Sequence, residues 1–141
     1  MIVLDTTVLV YAVGSQHPLR QPCRDLVGAV AAGRLPASTT VEVLQEFTHV
    51  RARRRGREDA VQLARDYLDV LAPLLVVGEC DLQEGLRLYA RSERLGAFDA
   101  VLAATAGRAN AAAIISADTA FAEAACAISF PATGVAGLLD G

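Results

Sequence analysis

The chain has 141 residues, 53% of them hydrophobic, with a net charge of −3, a pI near 5.3 and a mean hydropathy of +0.36. That length suits one domain, 1–141, large enough to bury roughly two-thirds of its unfolded surface, and no run of roughly eighteen apolar residues is free of charged or polar groups, which excludes a membrane span. The acidic balance excludes nucleic-acid binding by overall attraction. The scattered Cys23, Cys80 and Cys126 fit neither a disulfide framework nor a zinc site and are read as small buried apolar residues.

The chain opens "MIVLD", a short apolar run with β-branched residues that reads as a buried parallel strand. It carries no cationic leader, so the expected compartment is the cytoplasm. A helix-like "TTVLVYAVG" follows and ends near Gly14, "HPLRQP" reads as a loop, and "CRDLVGAVAAG" repeats apolar residues at helical spacing up to Gly33. "RLPAST" supplies a second short extended run. From Thr39 or Thr40 a helix is predicted with Val43, Leu44, Phe47 and Val50 on one face, running into the arginines of "RARRRGR". The next helix spans about Glu58 to Leu71, with Ala60, Leu63, Ala64, Tyr67, Leu68 and Leu71 inward; Pro73 stops it and "LLVVGE" reads as a strand. "DLQEGLRLYARSERLG" is predicted helical to Gly96, "AFDAVLAATAGRANA" is a small-residue helix, and "AAIISAD" is a third strand ending in acid. The tail "AISFPATGVAGLLDG" adds one short edge strand at most. Strands alternating with helices predict an α/β fold, its parallel sheet covered on both faces.

Within that pattern Asp5 closes the first strand and Asp118 lies just past a later one. Glu46 lies on the helix after "PAST", and Asp99 is near the start of "FDAVLAATA". In open parallel sheets ligands gather beyond the carboxyl ends of the strands, which would bring these four acids together. Four carboxylates in one pocket raise one another's pKa unless a hard divalent cation neutralises them. Mg²⁺ or Mn²⁺, which take oxygen ligands and keep several waters, fit this donor set.

These residues carry a resemblance. "VLDTTVLVYA", "VLQEFTHV", "GAFDAVLAATA" and "IISADTAF", in that order, resemble the acid-bearing motifs of the PIN domain, and specifically of the VapC toxins of bacterial toxin–antitoxin pairs. The resemblance implies a three-layer α/β/α sandwich with a parallel sheet of four to five strands, a metal-dependent ribonuclease acting on RNA, the homodimer frequent in the family, and a cognate antitoxin that masks or disrupts the site. Carried over residue by residue, the acids are Asp5, Glu46, Asp99 and Asp118, with Thr6 and Ser116 as hydroxyl positions beside the first and last. Asp5 and Asp99 are read as the principal metal ligands, joined by Asp118. Glu46 and Asp118 hold the metal through water or orient the nucleophile, while Thr6 and Ser116 position a carboxylate or a phosphate oxygen.

Each assignment has a structural competitor. Asp5 and Asp118 both stand where helix N-caps occur, and Asp99 suits a first helical turn. Glu42 shares a helix face with Glu46 at i,i+4 spacing, although the "VLQEF" context favours Glu46. Arg51, Arg53, Arg54 and Arg55 form either a solvated helix end or a grip on RNA or on an acidic antitoxin segment. All 13 basic residues are arginine. The absence of lysine argues against aspartyl-nucleophile phosphatases and receiver domains, and no glycine-rich turn follows the first strand as a dinucleotide site requires. The remaining alternative is a non-catalytic PIN-like module that binds RNA or an antitoxin.

Overall fold

The computed structural model describes residues 1–123 and 127–129. Strand β1 is Ile2–Leu4, followed by helices α1 (Thr6–Ala12) and α2 (Arg20–Ala31), then β2 (Ala37–Ser38). Helices α3 (Val41–Arg55), α4 (Arg57–Leu71), α5 (Glu79–Arg91) and α6 (Ala97–Arg108) come next. Strand β3 (Ala113–Ser116), a 3₁₀ turn at Thr119–Glu123 and β4 (Ala127–Ser129) complete the order. Among the described residues four strands pair in parallel in the order β2-β1-β3-β4. β1 and β3 are buried throughout, as a parallel strand covered on both faces must be. Helices α1 to α4 pack on one another, α5 packs on α6, and the sheet lies between the two groups as the middle layer of a sandwich.

Local chemistry explains most boundaries. Thr40 caps α3 by accepting the Val43 N–H at 3.2 Å, and the last turn of α3 carries Arg53, Arg54 and Arg55 against the negative end of the helix dipole. Gly56, at φ +88°, turns the chain from α3 into α4, a conformation that costs a side-chain-bearing residue energy. Phe47 and Tyr67 then meet edge to face at 5.0 Å, and the Tyr67 hydroxyl donates to the Leu9 carbonyl at 2.8 Å, tying the α3–α4 hairpin to α1. On the other side α5 crosses α6 at Gly85, where a Cβ would lie 2.7 Å from the Val101 Cα. Asp81, buried in the first turn of α5, accepts two bonds from Arg108 at 2.6 and 2.9 Å, and that guanidinium holds its carboxyl below the usual range.

Four expectations are corrected. "LLVVGE" forms no strand: the Leu75 N–H reaches the Thr39 carbonyl at 2.9 Å and a single bridge joins Thr40 to Leu75. The neighbouring β2 is only two residues long before the chain turns into α3, so nothing remains to pair with Val76, which is 77% exposed. Helix α5 stops at Arg91 rather than near Gly96, because Ser92 turns extended and its hydroxyl accepts the Leu95 N–H at 3.0 Å. The buried stripe of α4 holds Ala60, Tyr67 and Leu71 but not Leu68, which one helical step carries round to solvent. Cys23 is buried, its thiol pushed up to about 11, whereas Cys80 is exposed; Cys126 and most of the tail lie outside the described residues. Among the described residues no helix is long and apolar enough to cross a membrane.

Candidate active site

The strand order reverses between β1 and β3, and the crevice beyond their carboxyl ends is where a parallel sheet leaves room for a ligand. Asp5 stands there, one residue past β1, with its backbone N–H on the Ile115 carbonyl at 3.0 Å. It occupies the N-cap position of α1, yet its carboxylate makes no capping bond. Instead Oδ2 accepts the Ser116 hydroxyl at 2.7 Å and the Thr7 hydroxyl at 2.9 Å. These hydroxyls are themselves fixed from behind: Asp118 N–H donates to Ser116 Oγ and Ala117 N–H to Thr7 Oγ1, both at 2.9 Å. Asp5 is only 3% exposed, and both side-chain donors land on one oxygen, which leaves Oδ1 for something else.

The other three acids are brought to the same crevice by three different elements. Asp99 is in the first turn of α6, Glu46 is mid-way along α3, and Asp118 follows β3. Burial pushes the Asp99 carboxyl up to about 7, and the charges of Asp5, Asp118 and Glu46 add to the shift. Burial and the Asp5 charge likewise raise Glu46. Of the two glutamates sharing a face of α3, Glu46 and not Glu42 is among the charges acting on Asp99. Asp118 also accepts the Ala120 N–H at 2.9 Å, so it pins the 3₁₀ turn while its charge reaches the crevice.

Thr6 was the hydroxyl expected beside Asp5, but its neighbour Thr7 supplies that contact. Thr6 Oγ1 is buried without a well-formed hydrogen bond and faces Glu46, whose charge it stabilises. The sequence signal for Thr7 was the repeated hydroxyl of "DTT", which does not say which of two successive helical residues points at the acid. Of the arginine run, Arg51 is internal: it binds Asp59 and the Val13 carbonyl at the end of α1, and its side chain is 14% exposed. Arg53, Arg54 and Arg55 are exposed.

Among the described residues no three acidic, histidine or cysteine side chains form a ready-made coordination shell. The donor set nonetheless fits a small hard cation, since Mg²⁺ takes one or two carboxylates, keeps several waters and shares its remaining positions with substrate phosphate. Buried, hydroxyl-oriented Asp5 and Asp99 would supply such a pair, and a nearby positive charge would relieve the repulsion that adds to the rise of Asp99.

A parallel α/β sandwich with acids gathered at its switch point is the architecture of a known family. The PIN domain model matches residues 2–126, and the chain belongs to that family. Within it the chain is 55% identical, over 124 residues covering 87% of this chain and 86% of the other, to Ribonuclease VapC7 of Mycobacterium tuberculosis strain H37Rv. It is 31% identical over 99 residues, 70% and 78% of the two chains, to Ribonuclease VapC23 of the same species. Its fold superposes on the crystal structure of M. tuberculosis VapC20, described as a Sarcin-Ricin loop cleaving toxin. The TM-score is 0.77 at 19% identity, covering 92% of this chain and 98% of the other. FitAcB from Neisseria gonorrhoeae gives 0.74 at 19% identity, with 94% and 99% covered.

Proposed function

We propose that the chain, 1–141 as one PIN domain, is a Mg²⁺- or Mn²⁺-dependent endoribonuclease and the VapC-like toxin of a toxin–antitoxin module. One observation carries the reading: in a chain 55% identical to Ribonuclease VapC7, four acids from four elements act on one another, and their charges add to the burial that lifts Asp99 to about 7. In this reading Asp5, Asp99 and Asp118 hold the metal, with Glu46 and Asp118 also acting through water. When bound, the cation stabilises charge developing on the attacking and leaving oxygens and lowers the pKa of a water.

The chain's own groups do the positioning. Ser116 and Thr7 lock the Asp5 carboxylate into one orientation, so that no rearrangement is needed when the substrate arrives. Glu46, lifted by burial and by Asp5, orients the attacking water and takes its proton. The Thr6 hydroxyl beside Glu46 favours its charged form. A cognate antitoxin and a second copy of the chain are the proposed protein partners in the cytoplasm. The exposed Leu82, Leu86 and Tyr89 on α5 and Phe98 on α6 support the existence of a covered face.

The test is incubation of purified, antitoxin-free protein with total bacterial RNA in Mg²⁺, Mn²⁺ or EDTA, beside Asp5→Asn and Asp99→Asn. Metal-dependent cleavage that both substitutions abolish is the expected result. A folded, metal-loaded wild type that binds RNA and cuts nothing would replace the enzyme with a binding module.

A further inference from the structure

We infer that a basic cleft at the far end of α1 from the acids is a second RNA subsite, where Arg54 grips a phosphate and a base stacks on the Tyr11–His17 pair. The inference rests on the ribonuclease reading and says where the strand lies beyond the cleavage point. The cleft encloses about 420 Å³, and the residues lining it include Tyr11, Gln16, His17, Arg51, Arg54 and Arg55. Among the described residues no acid lines it, although the chain as a whole carries a net charge of −3.

The three arginines differ in what occupies them. Arg51 is held by Asp59 and the Val13 carbonyl, and Arg55 shares the field of Asp59. Arg54 is exposed and makes no hydrogen bond or ion pair among the described residues. In the same cleft the rings of Tyr11 and His17 lie 4.5 Å apart at 31°, and the Leu19 N–H holds His17 by donating to Nδ1 at 3.1 Å. An aromatic platform fixed beside an uncommitted guanidinium is the combination that binds single-stranded nucleic acid. An acidic peptide would use the arginine but leave the platform idle.

The cleft is also in line with the acids. Thr6 at the start of α1 faces Glu46, and the Val13 carbonyl at its end meets Arg51, so α1 and α3 run side by side in the same direction. Tyr11 lies six residues beyond Asp5, about 9 Å along the helix. A strand with one phosphate at the acids reaches the cleft within a few nucleotides.

The experiment measures anisotropy of a fluorescein-labelled single-stranded oligoribonucleotide of about ten nucleotides. The protein is Asp99→Asn with Mg²⁺, which holds the strand uncut, with and without Arg54→Gln or His17→Ala. Arg54→Gln is expected to weaken binding roughly tenfold and to lower the slope of log Kd against log salt by about 0.7, the value for one phosphate contact on a single strand. His17→Ala is expected to weaken binding roughly fivefold or more with the slope unchanged. Both side chains are exposed, so equal melting midpoints will show that the variants fold. Unchanged affinity and slope in both would overturn the proposal even if the wild type cleaves RNA. Unchanged RNA affinity with weakened antitoxin binding would assign the cleft to a protein and overturn it equally. Conversely, the expected losses beside a wild type that cuts nothing would leave the cleft standing and remove the ribonuclease.

Discussion

Replacing Asp99 with asparagine should stabilise the metal-free protein, and should do so more as pH rises. The Asp99 carboxyl stands near 7 against 3.8 for the free group, raised by burial and by Asp5, Asp118 and Glu46. A raised carboxylate pKa means that the folded state holds its proton more tightly than the unfolded chain. The associated stability is therefore complete below about 4 and is lost as pH climbs through 7. At 1.36 kcal/mol per unit, the cost at pH 8 is at most about 4 kcal/mol, of which at most about 3 develops between pH 5 and pH 8. Asparagine keeps the shape and removes the charge, forgoing only a first-turn dipole interaction of about 0.3–1 kcal/mol. Urea unfolding of EDTA-treated wild type and Asp99→Asn at pH 5 and pH 8 reads the difference directly. The variant should gain on the wild type by about 2–3 kcal/mol between the two pH values, equivalent to roughly 6–9 °C in Tm for a chain of this length. Parallel pH profiles for the two proteins would show that the four carboxylates do not share a field, and the argument for a cation site would fall with them.

Other consequences follow from the same contacts. Mg²⁺ should raise the Tm of the wild type more at pH 8 than at pH 6, because Asp99 must lose its proton to bind, and should leave Asp99→Asn nearly unmoved; differential scanning fluorimetry distinguishes the cases. Thr7→Val removes a hydroxyl that donates to Asp5 and accepts from Ala117, and should cost roughly 1–3 kcal/mol by urea titration. Thr6→Val, which removes a hydroxyl without a well-formed bond, should unfold within about 0.5 kcal/mol of the wild type while slowing cleavage through Glu46. Gly85→Ala drives a Cβ against the Val101 backbone and should destabilise by roughly 1–3 kcal/mol. Gly28→Ala, with open space in the exposed interior of α2, should stabilise by roughly 0.5–1 kcal/mol; thermal melts of the pair test whether the α5–α6 crossing is as close as described.

The sequence by itself determined the elements whose cause is local. An apolar β-branched run makes β1 wherever it is buried, Thr40 caps α3 by its own hydroxyl, and Gly56 turns α3 into α4. The four acids and their order along the chain were equally plain, since a carboxylate beside an apolar strand or in a small-residue helix needs a partner. Tertiary structure decided everything that depends on what lies opposite. Thr6 and Thr7 are chemically alike and one helical step apart; Ser116, Ala117 and Asp118, more than a hundred residues later, select Thr7 for Asp5, and α3 claims Thr6 for Glu46. Glu42 and Glu46 share a face of α3, and only the elements around the crevice distinguish them. "LLVVGE" has a strand's composition but lacks a strand beside it, because β2 ends after two residues. The arginines of "RARRRGR" read as one charge run, yet Asp59 and the end of α1 hold Arg51 inside while Arg54 faces the cleft. Side-chain type is written in the chain. The partner across a packed surface, which sets what each side chain does, exists only once distant segments are brought together.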